Sequence, residues 1–178
     1  MKRFATILTG IVLSLGLFAQ NTPLPVVLDI VSIEHDDSGD ALQVVNMPKD
    51  GVNYYYLHIG RMGIGNRIIQ IDIDPVDRLF IPLGNDLTTA IGKLEDLKTL
   101  YKEPSGTTRI IEGNFAAIFP DDRLEPIEVT RQQVFLTNQL QFVIQKEDHV
   151  RAAYMTRSDF NAILSGVKFY GNLHPKEM

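Results

Sequence analysis

The chain of 178 residues has no cysteine and no tryptophan. Without thiols there is no disulfide, no thiolate nucleophile, no iron–sulfur cluster and no cysteine zinc site. Without tryptophan, an aromatic platform must come from the 6 tyrosines, 9 phenylalanines or 4 histidines. Basic clusters are lacking as well: 22 Asp and Glu face 17 Lys and Arg, and no stretch concentrates positive charge. That balance argues against nucleic acid and anionic lipid, both of which bind through clustered cations that replace counterions.

Catalytic signatures are equally sparse. There is no H-E-x-x-H and no G-x-S-x-G, and His35, His58, His149 and His174 are not at metal-ligand spacing. The glycines at 60, 63 and 65 read G-x-x-G-x-G, the reverse of the dinucleotide fingerprint. The run RIIQIDID follows them where a phosphate loop needs a helix amino-terminus, so a hairpin tip is the plainer reading. No cofactor is implied.

With 44% hydrophobic and 22% charged residues, the chain suits one globular domain of ordinary size. Residues 1–20 form a secretory signal pattern: Lys2 and Arg3, then an uncharged apolar run from Phe4 to Phe18, then Ala19 and Gln20. The run is shorter than the roughly 20 residues that span a bilayer. Export to the periplasm or the extracellular space is therefore expected, with no membrane attachment after cleavage. Without Lys2 and Arg3, 15 basic residues face 22 acidic ones, a balance of −7. Residues 21–25 then form a lead-in, 26–170 a single domain and 171–178 a polar tail.

The organising stretch is Asp86 to Tyr101. Leu87, Ile91, Leu94, Leu97 and Tyr101 recur at spacings of three and four, which is one face of a helix. Asn85 or Asp86 caps its start and Glu103-Pro104-Ser105-Gly106 stops it, giving a long helix over about 86–102. Strand-like runs lie on both sides: 26–33, 41–46, 52–59, 67–74, 79–83, 107–119 with a bend at Gly113, 127–136, 140–145 and 150–156. The last of these meander through turns at Thr137-Asn138 and at 146–149. A short helix over about 158–165 starts at Ser158 and ends at Gly166, with a final short strand over 167–170. Runs of strands broken by one long helix predict an α+β domain with a largely antiparallel sheet. The alternative is a β-sandwich with an inserted helix.

Three residue groups are candidates for chemistry. Asp36-x-Ser38-x-Asp40 resembles half of a calcium loop, but Ala41 stands at the glycine position and Met47 at the bidentate glutamate position. A solvated turn is preferred there, with Asp36, Ser38 and Asp40 as the alternative metal site. Asp72 and Asp74 share one strand face, as paired carboxylates of a hydrolase could, although a solvated face is the commoner meaning. The third group comes from residue parity in a hairpin over 52–74. A loop centred on Gly63 puts the odd-numbered Leu57, Ile59, Ile69, Ile71 and Ile73 on the core face. Tyr54 then lies opposite Asp72 and Tyr56 opposite Gln70, with His58 and Asp74 beside them. Two tyrosines with an amide, carboxylates and an imidazole form a platform for a sugar ring or a peptide. The competing reading covers that face and places Tyr54 and Tyr56 in the core.

These observations lead to an exported, non-enzymatic binding module or envelope-associated protein whose partner is a glycan, a peptide or another envelope protein. A secreted hydrolase using Asp and Glu is the second reading, and a structural or assembly subunit the third. Export is the directly testable part. Mass spectrometry of the protein from its native host should show a mature chain beginning near Ala19 or Gln20, and a cytoplasmic chain beginning at Met1 would contradict it.

Overall fold

The computed structural model describes residues 28–34, 41–49, 51–59, 78–116, 123–145 and 150–178. The expected signal peptide, the lead-in, the turn carrying Asp36, Ser38 and Asp40, and the hairpin arm carrying Gln70, Asp72 and Asp74 lie outside these residues. In chain order the described elements are β1 (Leu28–Glu34), β2 (Ala41–Asn46), β3 (Tyr55–Ile59) and β4 (Arg78–Gly84). Then come α1 (Leu87–Thr99) with a 3-10 turn (Leu100–Lys102), β5 (Thr108–Ala116), β6 (Glu125–Val134), β7 (Thr137–Gln145), β8 (Val150–Thr156) and α2 (Arg157–Leu173). The strands form one antiparallel sheet in the order β1 to β8. The fold is thus α+β, with the sheet packed by helices, rather than a sandwich.

α1 forms where its periodicity places it. Asp86 caps it: Oδ1 accepts from the Thr89 amide at 2.8 Å and Oδ2 from the Thr89 hydroxyl at 2.6 Å. Leu87, Ala90, Leu94 and Leu97 are buried, followed by Leu100 and Tyr101 on the 3-10 turn. The Tyr101 hydroxyl donates to the Met155 carbonyl at 2.9 Å, and its ring meets Phe160 edge-on with centroids 5.5 Å apart. One residue on the 3-10 turn after α1 therefore fastens the junction of β8 and α2.

α2 is longer than the short helix expected over 158–165. It starts at Arg157 under a Thr156 cap, whose Oγ1 accepts from the Asp159 amide at 3.2 Å, and continues to Leu173. The expected strand over 167–170 and the first residues of the expected tail are helical. Gly166 is not a terminator but a contact point. A Cβ there would sit 2.8 Å from both γ carbons of Val31 on β1, so the missing side chain is what lets helix and strand touch. Phe160, Ile163, Leu164 and Val167 make the apolar face, at spacings of three and four. α2 packs on β1 and β2 from one end of the strand order and on β7 and β8 from the other, so the sheet curls around it.

The hairpin expected over 52–74 pairs differently. β3 is flanked by β2 and β4: Leu57 lies opposite Val44 on one side and Ile81 on the other, not opposite Ile69. Tyr56 lies opposite Val45 and Pro82, not Gln70. Both hydrogen-bonding sides of β3 are thereby used. The parity on β3 itself holds, since Tyr55, Leu57 and Ile59 are fully buried in the main core. Where a turn was expected over Pro48–Gly51, Lys49 and Val52 exchange two backbone bonds of 2.8 Å.

Two helix glycines test the packing with opposite signs. Gly92 is exposed on α1 and a Cβ there would meet nothing within 4 Å, so Gly92→Ala should stabilise the protein by about 0.5–1 kcal/mol through helix propensity. Gly166→Ala gains the same propensity but drives a methyl into Val31, and overpacking of that kind costs about 1–3 kcal/mol. Urea denaturation should move its midpoint up for the first variant and down for the second.

Candidate functional site

Among the described residues the sheet opens between β4 and β5. Within them β5 pairs with β4 through Asn114–Ala116, opposite Arg78–Phe80, whereas its residues Thr108–Gly113 pair with β6. Gly113 stands at the changeover: a Cβ there would come within 2.9 Å of Ile127 and 3.2 Å of the Phe80 carbonyl oxygen. Beyond Phe80, β4 stays on β3 while β5 turns away, and α1 crosses beneath the opening. The result is a cleft of about 240 Å³. Ile81, Pro82 and Leu83 form one wall, Ile111 and Glu112 the other, and Lys93, Asp96 and Leu97 of α1 the floor. A second cavity of about 220 Å³ adjoins it through the shared Pro82 and Lys93, and is lined by Tyr54, Tyr55, Tyr56, Gly84 and Asn85. The two lie side by side along a groove-like surface, with tyrosines in the lining of the second and the Asp96 and Glu112 carboxylates in the lining of the first.

Local chemistry explains each wall. The register of β3 against β4 slips between Tyr55 and Tyr56, so Leu83 is an extra residue in β4. Pro82 has no amide to donate, which suits a strand that is losing its neighbour. Its carbonyl accepts from Lys93 Nζ at 3.2 Å, so one backbone acceptor at the parting is covered by a cation, a common way to blunt a strand edge. On the far side Arg109 Nη1 donates to Asp96 Oδ2 at 2.7 Å, and Nη2 to the Thr99 hydroxyl at 3.3 Å. This pair ties α1 to β5 and holds the cleft width. It is exposed, so its own stabilisation is about 0–1 kcal/mol.

Of the residues singled out in the sequence, Tyr54 and Tyr56 come to this groove. Tyr54 is 38% exposed and Tyr56 half-buried, its ring edge-on to Phe80 with centroids 6.3 Å apart. His58 lines neither cavity. It is buried and stacked on Phe80, with ring centroids 4.6 Å apart and planes 6° from parallel. Val45, Met47 and Phe80 form a small apolar cluster there, on the face of the sheet away from the main core, with Tyr56 packed against it. Gln70, Asp72 and Asp74, like Asp36, Ser38 and Asp40, lie outside the described residues. Among the described residues no cluster of three His, Asp or Glu could hold a metal ion.

Lys93, Pro82 and Ile111 were not recognised from the sequence. Pro82 inside the β-like run 79–83 was the available signal, because proline in a strand marks an edge. Ile111 and Lys93 carried none, since they meet only through the parting of β4 and β5.

Groups shifted from their ordinary pKa are scattered. Burial, reinforced by the Glu177 carboxylate, raises the Tyr55 hydroxyl, and the same causes raise Tyr170. Burial raises Tyr101. Burial, with Arg78 nearby, lowers His58 to about 4. No family model, no curated protein and no solved structure matches this chain. Among the described residues no helix is long and apolar enough to cross a membrane.

The depressed His58 pKa sets a pH dependence. The fold favours the neutral imidazole, so this contribution to stability is complete above the unfolded value of about 6.5. It is lost as pH falls toward 4, and does not change further below that. The loss is on the order of 3 kcal/mol. Urea midpoints measured from pH 7 to pH 4 should fall more steeply for the native protein than for His58→Phe, which keeps the ring stack and removes the titration.

Proposed function

We propose that the chain is an exported binding module and that its ligand is an extended peptide held in the groove from Tyr54 to the β4–β5 cleft. The observation that carries this reading is that the two cavities lie side by side, with Pro82 and Lys93 in the lining of both. An exposed tyrosine ring stands at one end and an apolar recess of Ile81, Leu97 and Ile111 at the other, which suits one or two apolar side chains better than a hydroxylated sugar. Lys93 between them offers a donor to a peptide carbonyl or carboxylate. The secreted-hydrolase reading calls for two carboxylates working across one cleft, and here Asp96 is held by Arg109. Binding without catalysis is the better fit. Export to the periplasm or the extracellular space, with no nucleic-acid partner, rests on the amino-terminal pattern and the acidic balance.

Peptide and glycan arrays probed with the mature protein and with a Tyr54→Ala, Lys93→Glu variant test this. Both residues are exposed, so the variant should melt as the native protein does. Peptide binding should weaken at least tenfold in the variant. Binding confined to glycans would transfer the groove to a sugar ligand. Peptide binding untouched by the double change would remove the groove from the function.

A further inference from the structure

The β6–β7 hairpin ends in the two most exposed large apolar side chains among the described residues. Phe135 is 95% exposed and Leu136 is 99% exposed. Val134 pairs with Thr137, so these two residues are the whole turn. Phe135 has φ +52, and among the described residues it is the sole non-glycine in the left-handed region. Two-residue hairpin turns use that conformation with glycine, asparagine or aspartate, and a bulky residue there is strained. No side-chain packing offsets the strain, since neither side chain is covered. Yet the tip is braced. Gln133 Nε2 donates to the Phe135 carbonyl at 3.0 Å, and Arg131 Nη2 donates to Gln133 Oε1 at 3.0 Å. The Gln133 amide donates to Ser105 Oγ at 3.1 Å, and Asn138 Nδ2 to the Tyr101 carbonyl at 3.0 Å.

We propose that Phe135 and Leu136 form a rigid plug that inserts into an apolar socket on a protein partner. A strained turn with one carbonyl and both flanks held by hydrogen bonds suits a complement of fixed shape, because the cost of ordering the tip is met before binding. An aromatic beside an aliphatic residue at the centre of a contact is the composition of an interface anchor. The collar fits the same partner. Gln132, Gln133, Thr137, Asn138 and Gln139 surround the tip with uncharged groups that can bond peptide groups at a socket rim. A bilayer is the poorer occupant: it needs no fixed geometry, two apolar side chains are too few to anchor a protein, and the acidic chain places no cationic cluster at the tip. The plug uses none of the groove residues, so it stands or falls independently of the peptide reading.

The test places photoreactive benzoylphenylalanine at Phe135 in the full chain, in intact cells of the native host, with the same group at exposed Phe169 on α2 as reference. Position 135 should give one discrete protein adduct that position 169 does not. The adduct partner, identified by mass spectrometry and purified, should then bind the native protein in calorimetry. A Phe135→Gly, Leu136→Asn variant should bind it at least tenfold more weakly. The variant should melt at the same temperature or about 2–4 °C higher, because glycine at the first turn position takes the positive φ without strain. Lipid adducts, co-flotation with phosphatidylcholine vesicles that the variant loses, adducts only to a second copy of this chain, no discrete adduct, equal affinity of the variant, or a lower melting temperature would each overturn the proposal.

Discussion

The double membership of β5 is the constraint on which the rest depends. Its last residues pair with β4 and its first with β6, and the strand can serve both only by bending at Gly113. No side chain fits there, between Ile127, the Phe80 carbonyl and Leu79. Because interiors are packed to crystal-like density, such a bend cannot be relaxed without moving its neighbours. The chain leaves β4 at Gly84, crosses the resulting opening as α1 and returns as β5. The helix thus closes the inner side of the gap, and its outward residues Lys93 and Asp96 become the floor of the groove.

The second requirement is to cover a curled sheet, eight strands among the described residues, with α1 and α2. Most of the stabilisation comes from apolar burial, and Leu57, Leu79, Leu94, Phe142, Phe160 and Val167 are all fully inaccessible. Polar contacts orient that core more than they strengthen it. Lys168 on α2 pairs with Glu95 on α1 at the surface, where such pairs contribute little individually. Glu177 accepts from the Tyr55 and Tyr170 hydroxyls at 3.0 and 3.1 Å, and its backbone carbonyl accepts from the Leu87 amide at 3.1 Å. The residues after α2 therefore bind back to β3 and to the start of α1. The groove walls are thus built from secondary structure and fastened from behind, and the exposed side chains along them carry little of the structural burden.

Legibility in the sequence followed the range of the interactions involved. The Asp86 cap and the Leu87–Leu97 periodicity are local, and α1 matches them. Thr156 and Asp159 offered a capping signal just as local, but Ser158 drew the helix start too late. Gly166 drew its end too early, because a glycine that stops a helix and one that lets it touch β1 look alike without Val31 in view. The turn at Phe135-Leu136 reversed the usual chemistry. Polar Thr137-Asn138 was the natural choice by composition, and two exposed apolar residues in a strained turn can be recognised only from coordinates. Tyr54 and Tyr56 were found by parity and do reach a cavity. His58, on the same parity, packs on Phe80, a residue more than twenty positions away.

The amino-acid sequence by itself determined what depends on neighbours in the chain. That covers the caps and apolar stripe of α1, the alternation that buries Tyr55, Leu57 and Ile59, the bend at Gly113, and the exclusion of thiol and cysteine-metal chemistry. Only the tertiary structure decided that β3 lies between β2 and β4, that β4 and β5 part to open a groove over Lys93, and that Phe135 and Leu136 stand uncovered. Strand partners are chosen by the packing of the whole sheet. Alternation says which face a residue takes, whereas the identity of the opposing strand depends on how all eight share one core.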